Sequence, residues 1–317
     1  MLNEHPTWYK HHASKINDYL TCPRYYFYRT ILGWRREDTR NHLVFGSAWH
    51  EMMETLLKEG YNMEALASGM QKFLEHYRKH FGEETDELFI PKTPSTALTA
   101  AAHYIQEYAV KDAGQEVLHT EACGAVPIGA DRLIHFKQDA VLRDERGIFS
   151  REHKTRSRAG RQWIDQWQLS MQVGTYTHAL YCMYPAEQVW GVEINGTIFQ
   201  KSKIDFVRVS CRASPQMLNA WLVDVNDWID RIHADINVLM TDDSPANPVM
   251  LSFPRNPKSC TDYYGCEYHA FCTSWPNPLQ NVYDDPPIGF YQEYWDPEVE
   301  TEDGDVVQEK ENLGVIA

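Results

Sequence analysis

The sequence predicts a mixed α/β fold in which helices cover a mixed β-sheet. Two observations predict it. Helical periodicity dominates the chain up to about residue 115, and the pattern changes to β-rich segments from Val117. The order of the later elements is strand, hairpin, helix and strand, with helices before and after. We expect one domain over residues 1–283, made of a helical region (1–115), an α/β core (116–210) and a lobe with a helix and a cysteine cluster (211–283).

The helical region is expected to begin with Ser14, a side chain suited to cap a short helix that runs to Leu20. Pro23 then starts another helix, whose aromatic side chains are suited to core packing or to stacking on bases. The next helix runs from Gly46 and stops near Gly60. Two further helices are expected at residues 63–81 and 95–111.

The α/β core alternates β-rich runs with one helix of clear 3.6-residue periodicity, which Pro185 ends. The expected elements are strands at 117–128, 132–142, 189–198 and 204–209, and helices at 163–184 and 217–240. The first of these helices places Gln168, Gln172 and Tyr176 on one face, because they are spaced by four residues. That face is either a polar helix edge or a surface that holds phosphate or orients water.

A β-hairpin is expected between Asp139 and Lys154, where two apolar runs flank a turn cluster that ends in Gly. If the turn pairs Arg143 with Ile148, Asp139 falls opposite Glu152. Directly opposed residues have Cβ atoms about 5 Å apart on one face of the sheet.

The predicted hairpin collects two carboxylates and an ammonium. Side chains alternate along a strand, so Lys154 shares the face of Glu152 while His153 points away. Two close carboxylates repel unless a cation lies between them, and oxygen ligands suit Mg²⁺ or Mn²⁺. Taken alone, the pattern also fits a surface hairpin with ordinary charges. His50, in the first turn of the helix that starts at Gly46, is likewise either a core histidine or a metal ligand.

Composition indicates a soluble globular protein, with 43% hydrophobic and 24% charged residues in 317. No apolar run approaches the roughly 20 residues that span a bilayer, and the N-terminus lacks a signal-peptide core. We therefore expect a cytoplasmic protein with no membrane partner.

The net charge of −15 places any nucleic-acid binding on local basic patches. Residues 284–311 hold eleven acidic residues and one Lys, so we expect an acidic, disordered tail over 284–317. Such a tail suits a nucleic-acid mimic or a segment that binds a protein partner. The basic patch nearest the hairpin consists of Arg151, Lys154, Arg156, Arg158 and Arg161.

Three of the seven cysteines lie in a short C-x5-C-x5-C run at Cys260, Cys266 and Cys272, flanked by prolines. Thiolates at this density indicate a metal centre, either Zn²⁺ or an iron–sulfur cluster. A fourth ligand is needed. Cys22 would favour a [4Fe–4S] cluster and tie the two ends of the domain together, whereas His269 would favour zinc.

The motifs in order resemble the RecB-like branch of the PD-(D/E)xK nuclease superfamily. The resemblance rests on Gly46-x-x-x-His50, Asp139, Glu152-x-Lys154 and Gln172-x-x-x-Tyr176, and covers roughly residues 14–275. The four cysteines resemble the iron–sulfur clamp of AddB-like and CRISPR-associated exonucleases. The first acid follows Gln138 rather than the usual Pro or Ile, Glu replaces the commoner Asp before Lys154, and the last three cysteines are evenly spaced.

The resemblance implies a restriction-endonuclease-like fold and a metal-dependent DNA nuclease, acting as an exonuclease on single strands or free ends. Asp139, Glu152, the main-chain carbonyl of His153 and His50 would hold Mg²⁺ or Mn²⁺. Lys154 would position or deprotonate the attacking water. The remaining implied roles are phosphate or lysine orientation by Gln172, backbone contact by Tyr176, DNA binding by Arg156, Arg158 and Arg161, and a structural [4Fe–4S] cluster on Cys22, Cys260, Cys266 and Cys272.

The sequence also fits two functions other than a nuclease. One is a catalytically silent nucleic-acid-binding or adaptor protein that keeps the nuclease fold, which the overall acidity favours. The other is a structural zinc protein.

Overall fold

The computed structural model describes residues 2–262, 265–283 and 285–297 and has the predicted fold class, a mixed sheet flanked by helices. The described helices are α1 (Ala13–Thr21), α2 (Pro23–Tyr26), α3 (Asn41–Glu59), α4 (Met63–Tyr77), α5 (Pro94–Tyr108), α6 (Arg161–Asp165), α7 (Met171–Met183), α8 (Pro215–Thr241) and α9 (His269–Ser274). The described strands are β1 (His11–His12), β2 (Trp34–Arg36), β3 (Glu116–Gly129), β4 (Arg132–Asp144), β5 (Gly147–Arg156), β6 (Val189–Phe199), β7 (Ile204–Cys211) and β8 (Phe290–Gln292). Among the described helices, none is long and apolar enough to cross a membrane.

The chain forms two compact units, each built from segments that are distant in sequence. The core unit contains residues 39–126 and 136–218. The terminal unit contains the described residues of Met1–Asp38, Pro127–His135 and Asn219–Glu302. This division differs from the predicted regions 1–115, 116–210 and 211–283, because the start of the chain packs with its end.

Helices α3, α4 and α5 form the largest apolar cluster of the core unit, in which Trp49, Met52 and Leu56 of α3 are fully buried. Helix α3 begins five residues before the predicted Gly46. It ends at the predicted place, because Gly60 has a φ of +92°, a conformation that glycine adopts without a side-chain clash.

The sheet positions the residues of the hairpin. β4 pairs antiparallel with β5, β5 pairs parallel with β6, and β6 pairs antiparallel with β7, while β3 pairs with the other edge of β4. Within the terminal unit, β1 runs parallel to residues 134–135 of β4. The predicted hairpin pairing is confirmed: Arg143 lies opposite Ile148, and the same register continues to Ala140 opposite Arg151. Helices α3 and α7 both pack against β5.

The predicted single helix at 163–184 is wrong. Residues 161–165 form α6, and α7 starts only at Met171, because the Ser170 side chain accepts a hydrogen bond from the Val173 main-chain N–H and caps a new helix. Gln168 lies in the connection between the two helices and donates to the Ser210 carbonyl. It therefore does not share a helix face with Gln172 and Tyr176, which are both in α7.

Smaller corrections concern the ends of the chain. Ser14 lies inside α1, and His12 takes the N-cap position without a side-chain hydrogen bond. Between α2 and α3, where no regular element was expected, the chain forms β2, which pairs antiparallel with β8. Because β8 lies within the predicted tail, that tail is not irregular throughout. Residues 284 and 298–317 lie outside the described residues, so disorder there stays a prediction.

The terminal unit has an aromatic core. Tyr26, Phe27 and Tyr28 are fully buried, which supports core packing over base stacking. The Tyr28 ring stacks on the rings of Trp34 and Tyr268, with centroid distances of 5.7 and 5.1 Å. These contacts join the start of the chain to residues near its end.

Candidate active site

Strand β5 has two chemically different faces, as the sequence predicts. Glu152 and Lys154 lie on the face that α7 covers, where Gln172 reaches Glu152. Arg151 and His153 lie on the opposite face. We call these the active face and the back face.

Asp139 connects three elements on the active face. Its Oδ2 accepts a hydrogen bond from the His153 main-chain N–H at 2.6 Å, and its Oδ1 accepts one from His50 Nδ1 at 3.0 Å. Burial raises the pKa of the Asp139 carboxyl. His50 and the nearby cations lower this pKa by more than burial raises it, so it is well below the usual range. Burial lowers the pKa of His50, but Asp139 more than offsets this and raises it.

Glu152 is the residue whose partners are incomplete. Its Oε1 accepts hydrogen bonds from Lys154 Nζ at 2.5 Å and from Gln172 Nε2 at 2.8 Å. Its Oε2 is buried and has no hydrogen-bond partner within the described part of the chain. Burial and the neighbouring Asp139 raise the pKa of the Glu152 carboxyl. A buried oxygen of this kind is costly unless a donor or a cation binds it.

Lys154 and α7 complete the active face. Burial lowers the pKa of Lys154, but Glu152 and Asp139 raise it more, so the side chain is an ammonium. Gln172 also donates to the Tyr176 hydroxyl at 2.8 Å, and that hydroxyl donates to the Lys137 carbonyl. Tyr176 is only 5% exposed. Its hydroxyl is thus committed inside the protein, where it holds Gln172 rather than facing the DNA backbone.

The donors of the active face fit a divalent cation by their chemistry. Two carboxylates and a main-chain carbonyl are oxygen ligands that suit Mg²⁺ and Mn²⁺, whereas the His50 imidazole is a nitrogen ligand that Mg²⁺ rarely takes. The free Oε2 of Glu152 is the observation that supports this fit. In the described residues, no group of three or more His, Cys, Asp or Glu side chains already stands in coordinating positions. The direct contact between His50 and Asp139 is the feature that a bound cation would have to replace.

The back face carries a buried network of opposite charges, which we call the back-face network. It consists of Asp112, Arg151, Glu193, Asn195 and Arg208, with His153 attached to it. Arg208 binds both oxygens of Asp112 at 2.6 Å, and Arg151 bridges Asp112 at 3.0 Å and Glu193 at 2.9 Å. Sequence reasoning placed Arg151 in the basic patch. That interpretation is wrong, because its side chain is fully buried and paired with two acids.

Asn195 joins this network to the active face. Its Nδ2 donates to His153 Nδ1 at 3.0 Å, and its Oδ1 accepts from Arg208 Nε at 3.2 Å. Burial lowers the pKa of His153 to about 3, so its imidazole is neutral and can accept this bond. The main-chain N–H of the same histidine donates to Asp139. His153 thus connects the two faces of β5, through its side chain on the back face and its main-chain N–H on the active face.

Most of the chain matches the model of one known protein family. The family model of the PD-(D/E)XK nuclease superfamily matches residues 13–273. The chain belongs to this superfamily. No curated protein matches it. Fourteen chains of solved structures match, among them one described as "Crystal structure of SSO0001". That match has 17% identity and a TM-score of 0.25 and covers 68% of this chain and 82% of the other, and such a low score adds nothing about fold or function.

Three basic residues lie at the end of β5 and just after it. Arg158 and Arg161 are exposed and Arg156 is partly exposed, so all three are accessible to a phosphate backbone. Arg161 is paired with Asp165 at 3.3 Å. Arg156 is the last residue of the strand that carries Glu152 and Lys154, and Arg158 and Arg161 follow it.

Sequence reasoning missed Glu121, an acid on β3. Burial and the neighbouring Asp139 raise its pKa to about 7, although Lys137 lies only 3.1 Å away. Glu121 has a positive φ of 49°, which is rare for a residue with a side chain. No sequence motif predicts a role for Glu121, because its proximity to Asp139 comes from the pairing of β3 with β4.

The four predicted cysteine ligands all lie in the terminal unit, and none forms a disulfide. Burial raises the pKa of Cys266 to about 11, and Cys272, Cys22 and Cys260 add to the increase, but within the described residues no three of these side chains stand in coordinating positions. The Cys22 sulfur accepts a hydrogen bond from the Asn256 main-chain N–H at 3.3 Å. His269, the alternative ligand, is exposed.

A buried arginine supports the fit of an anionic thiolate centre. Arg24 is 2% exposed and electrostatically coupled to Cys272. Its Nε donates to the Phe253 carbonyl, whereas its NH1 has no partner within the described residues. A buried guanidinium that interacts with Cys272 is suited to balance the negative charge of bound thiolates.

Proposed function

We propose that this protein is a divalent-metal-dependent DNA nuclease that hydrolyses phosphodiester bonds at the active face of β5. The observation that carries the proposal is the buried, unpartnered Oε2 of Glu152 beside Asp139, with the Lys154 ammonium on the other oxygen. Membership of the PD-(D/E)XK nuclease superfamily supports the same reading.

The residues have distinct roles in this proposal. Asp139, Glu152, His50 and the His153 carbonyl would hold Mg²⁺ or Mn²⁺, which supplies Lewis-acid stabilisation and a water of lowered pKa. Lys154 places a positive charge where the scissile phosphate gains negative charge. Gln172 binds Oε1 of Glu152 and so keeps Oε2 turned toward the cation side.

We infer further that the enzyme acts as an exonuclease on single strands or free ends and belongs to the RecB-like branch. Supporting features are the exposed Arg158 and Arg161 and the partly exposed Arg156, which can bind successive phosphates. The branch assignment rests on the spacing Gly46-x-x-x-His50 together with Gln172-x-x-x-Tyr176. Of these residues, His50, Gln172 and Tyr176 all contact the active face.

We propose that Cys22, Cys260, Cys266 and Cys272 bind a [4Fe–4S] cluster with a structural role. The location of all four cysteines in the terminal unit and the Arg24 donor without a partner in the described residues support a soft, anionic centre. Protein purified without oxygen should be brown and contain about four irons and four sulfides per chain. Colourless protein with one zinc per chain would contradict the cluster assignment.

The nuclease proposal is tested with 5′- and 3′-labelled single- and double-stranded DNA in the presence of Mg²⁺, Mn²⁺ or EDTA. We expect cleavage that requires the cation and releases short products from one end. Glu152→Ala and Lys154→Ala should each abolish cleavage. Arg255→Ala, which changes an exposed cation of the terminal unit, is the control and should cut normally.

Two outcomes of this experiment would overturn the proposal. Equal cleavage by wild type and both active-face variants would place the activity elsewhere. Salt-dependent DNA binding without cleavage under any divalent cation would favour the catalytically silent binding protein.

A further inference from the structure

A partly buried tryptophan that has no role in the site as described stands beside Lys154. The Lys154 Nζ lies 5.9 Å from the centroid of the Trp167 ring. Trp167 belongs to the connection between α6 and α7, residues 166–170. It therefore borders the place where the scissile phosphate would lie.

The surroundings of this ring form a fixed platform. Trp163 is buried and contacts Trp167 edge-on, with ring centroids 5.7 Å apart. Trp163 in turn lies directly on the backbone of β6 at Gly196, where an added Cβ would come within 2.4 Å of the indole. Gln166 and Gln168 tie the connection down through side-chain bonds to the carbonyls of Trp163 and Ser210. A ring held in this way loses little conformational entropy when a ligand binds.

The exposed side chains around the platform include apolar and cationic ones, beside the polar Gln166 and Gln168 and the acid Asp165 that pairs with Arg161. Leu169 is 80% exposed and Ile164 is 39% exposed, which is unusual for side chains of this size. Arg158 and Arg161 lie on the chain just before them and face solvent. Aromatic and apolar surface flanked by cations is the composition that binds the bases and phosphates of a single strand.

We propose that Trp167 is a base-stacking residue, which binds an unpaired nucleobase next to the phosphate held at Lys154. This inference rests on the proposed nuclease function. The ring centroid lies 5.9 Å from the Lys154 Nζ, so a base stacked on it would belong to a nucleotide close to that phosphate. A base inside a duplex has both faces covered by its neighbours. Only a single strand or a frayed end can therefore use this subsite, which makes unpaired DNA the preferred substrate.

The experiment uses the full-length protein and a set of labelled single-stranded oligonucleotides, each with one abasic site at a different position. Wild type, Trp167→Ala, Trp167→Phe and the control Trp228→Ala are compared. Trp228 is a partly buried tryptophan on α8 that contacts Arg231. Cleavage gives KM and kcat, and fluorescence anisotropy with Ca²⁺ gives the affinity for each oligonucleotide. Circular dichroism checks that each variant is folded.

We expect Trp167→Ala to raise KM and the dissociation constant about tenfold on intact oligonucleotides. The penalty should vanish when the abasic site is at one particular position, because the wild type then has no base to stack. Trp167→Phe should recover most of the loss, and Trp228→Ala should match wild type. A penalty of the same size at every abasic position would overturn the proposal.

A second result would also overturn it. If Trp167→Ala lowers kcat on all substrates and shifts the pH profile of kcat, the ring acts on the Lys154 ammonium and not on a base. Failure of the nuclease proposal is recognised separately, as the absence of metal-dependent cleavage by wild type. In that case the anisotropy measurements still decide whether Trp167 contacts a base.

Discussion

The active face and the back face of β5 alternate along the same few residues, yet they satisfy their charges in opposite ways. On the back face, Arg151 is fully buried and binds two acids, and Arg208 binds both oxygens of Asp112. On the active face, Glu152 keeps one buried oxygen without a partner in the described structure. Burial alone therefore does not distinguish the two faces, because both are buried.

The difference indicates which charges maintain the fold and which are available for chemistry. The buried ion pairs of the back face match each charge with an opposite one, although one Arg151 nitrogen, NH2, makes only an ion pair with Glu193 and has no hydrogen-bond partner in the described residues. Breaking such a pair leaves an uncompensated charge. A buried carboxylate with an open position is destabilising until a ligand fills it. The back face thus supports the active face, which retains binding capacity at some expense of stability.

Glu152→Gln should produce the largest effect and would sharpen this comparison. The change removes the anionic charge that would bind the proposed cation, and we expect kcat to fall about a thousandfold. Thermal stability without added metal should stay the same or rise, since the neutral amide relieves the repulsion from Asp139. The measurements are cleavage with Mn²⁺ and thermal unfolding in EDTA. A large loss of stability would mean that Glu152 belongs with the structural charges.

Asp112→Asn should lower stability and leave cation binding unchanged, which is the opposite of the result expected for Glu152→Gln. It leaves Arg151 and Arg208 short of a buried counter-charge, so we expect the free energy of unfolding to fall by about 3 kcal/mol. Urea denaturation followed by circular dichroism measures this loss. Once folded, the variant should bind Ca²⁺ with normal affinity. Unchanged stability would break the comparison, because the back-face network would then contribute nothing to the fold.

Asn195→Leu tests the residue that joins the back-face network to His153. It removes the bonds to His153 and Arg208, so we expect a loss of about 1–2 kcal/mol of stability. Because His153 also fixes Asp139, the affinity for Ca²⁺ should fall about tenfold. Calorimetric titration with Ca²⁺ measures the second effect. Asp112→Asn is the matched control, and an equal loss of Ca²⁺ affinity in both variants would indicate general loosening instead of positioning.

Glu121→Gln should change only the pH dependence of stability. The pKa of Glu121 is raised to about 7, so the folded state binds a proton more tightly than the unfolded state does. Its contribution to stability is present in acid and is lost as the pH rises from about 4.5 to 7. The glutamine variant should lack that loss. Melting temperatures of the two proteins at pH 5 and pH 7.5 check this, and parallel behaviour would contradict it.

The sequence was most informative where the signals were local. The pairing of Arg143 with Ile148 followed from one turn and from side-chain alternation, so the faces of Glu152 and His153 were predicted correctly. The four-residue spacing of Gln172 and Tyr176 likewise predicted their contact. Gln168 was placed incorrectly, because helical periodicity was extended across Ser170, whose capping bond interrupts the helix.

The rest depended on partners that are distant in the chain. Arg151 pairs with acids 39 and 42 residues away, and Arg208 pairs with Asp112 across 96 residues. No periodicity links such residues, so Arg151 was counted with the exposed cations beside it. Glu121 and Trp167 were missed for a similar reason, since only the packing of neighbouring strands and helices brings them to Asp139 and Lys154.

The composite terminal unit has a consequence for the order in which the protein forms during synthesis. The Asn256 N–H that binds the Cys22 sulfur is made 234 residues after that cysteine. At a synthesis rate of roughly 5–20 residues per second, about 10–50 s pass between the synthesis of Cys22 and that of Asn256. During that time Tyr26, Phe27 and Tyr28 have no core to enter. A chain that stops after residue 218 would keep these rings exposed indefinitely, and we expect it to aggregate or to be held by chaperones.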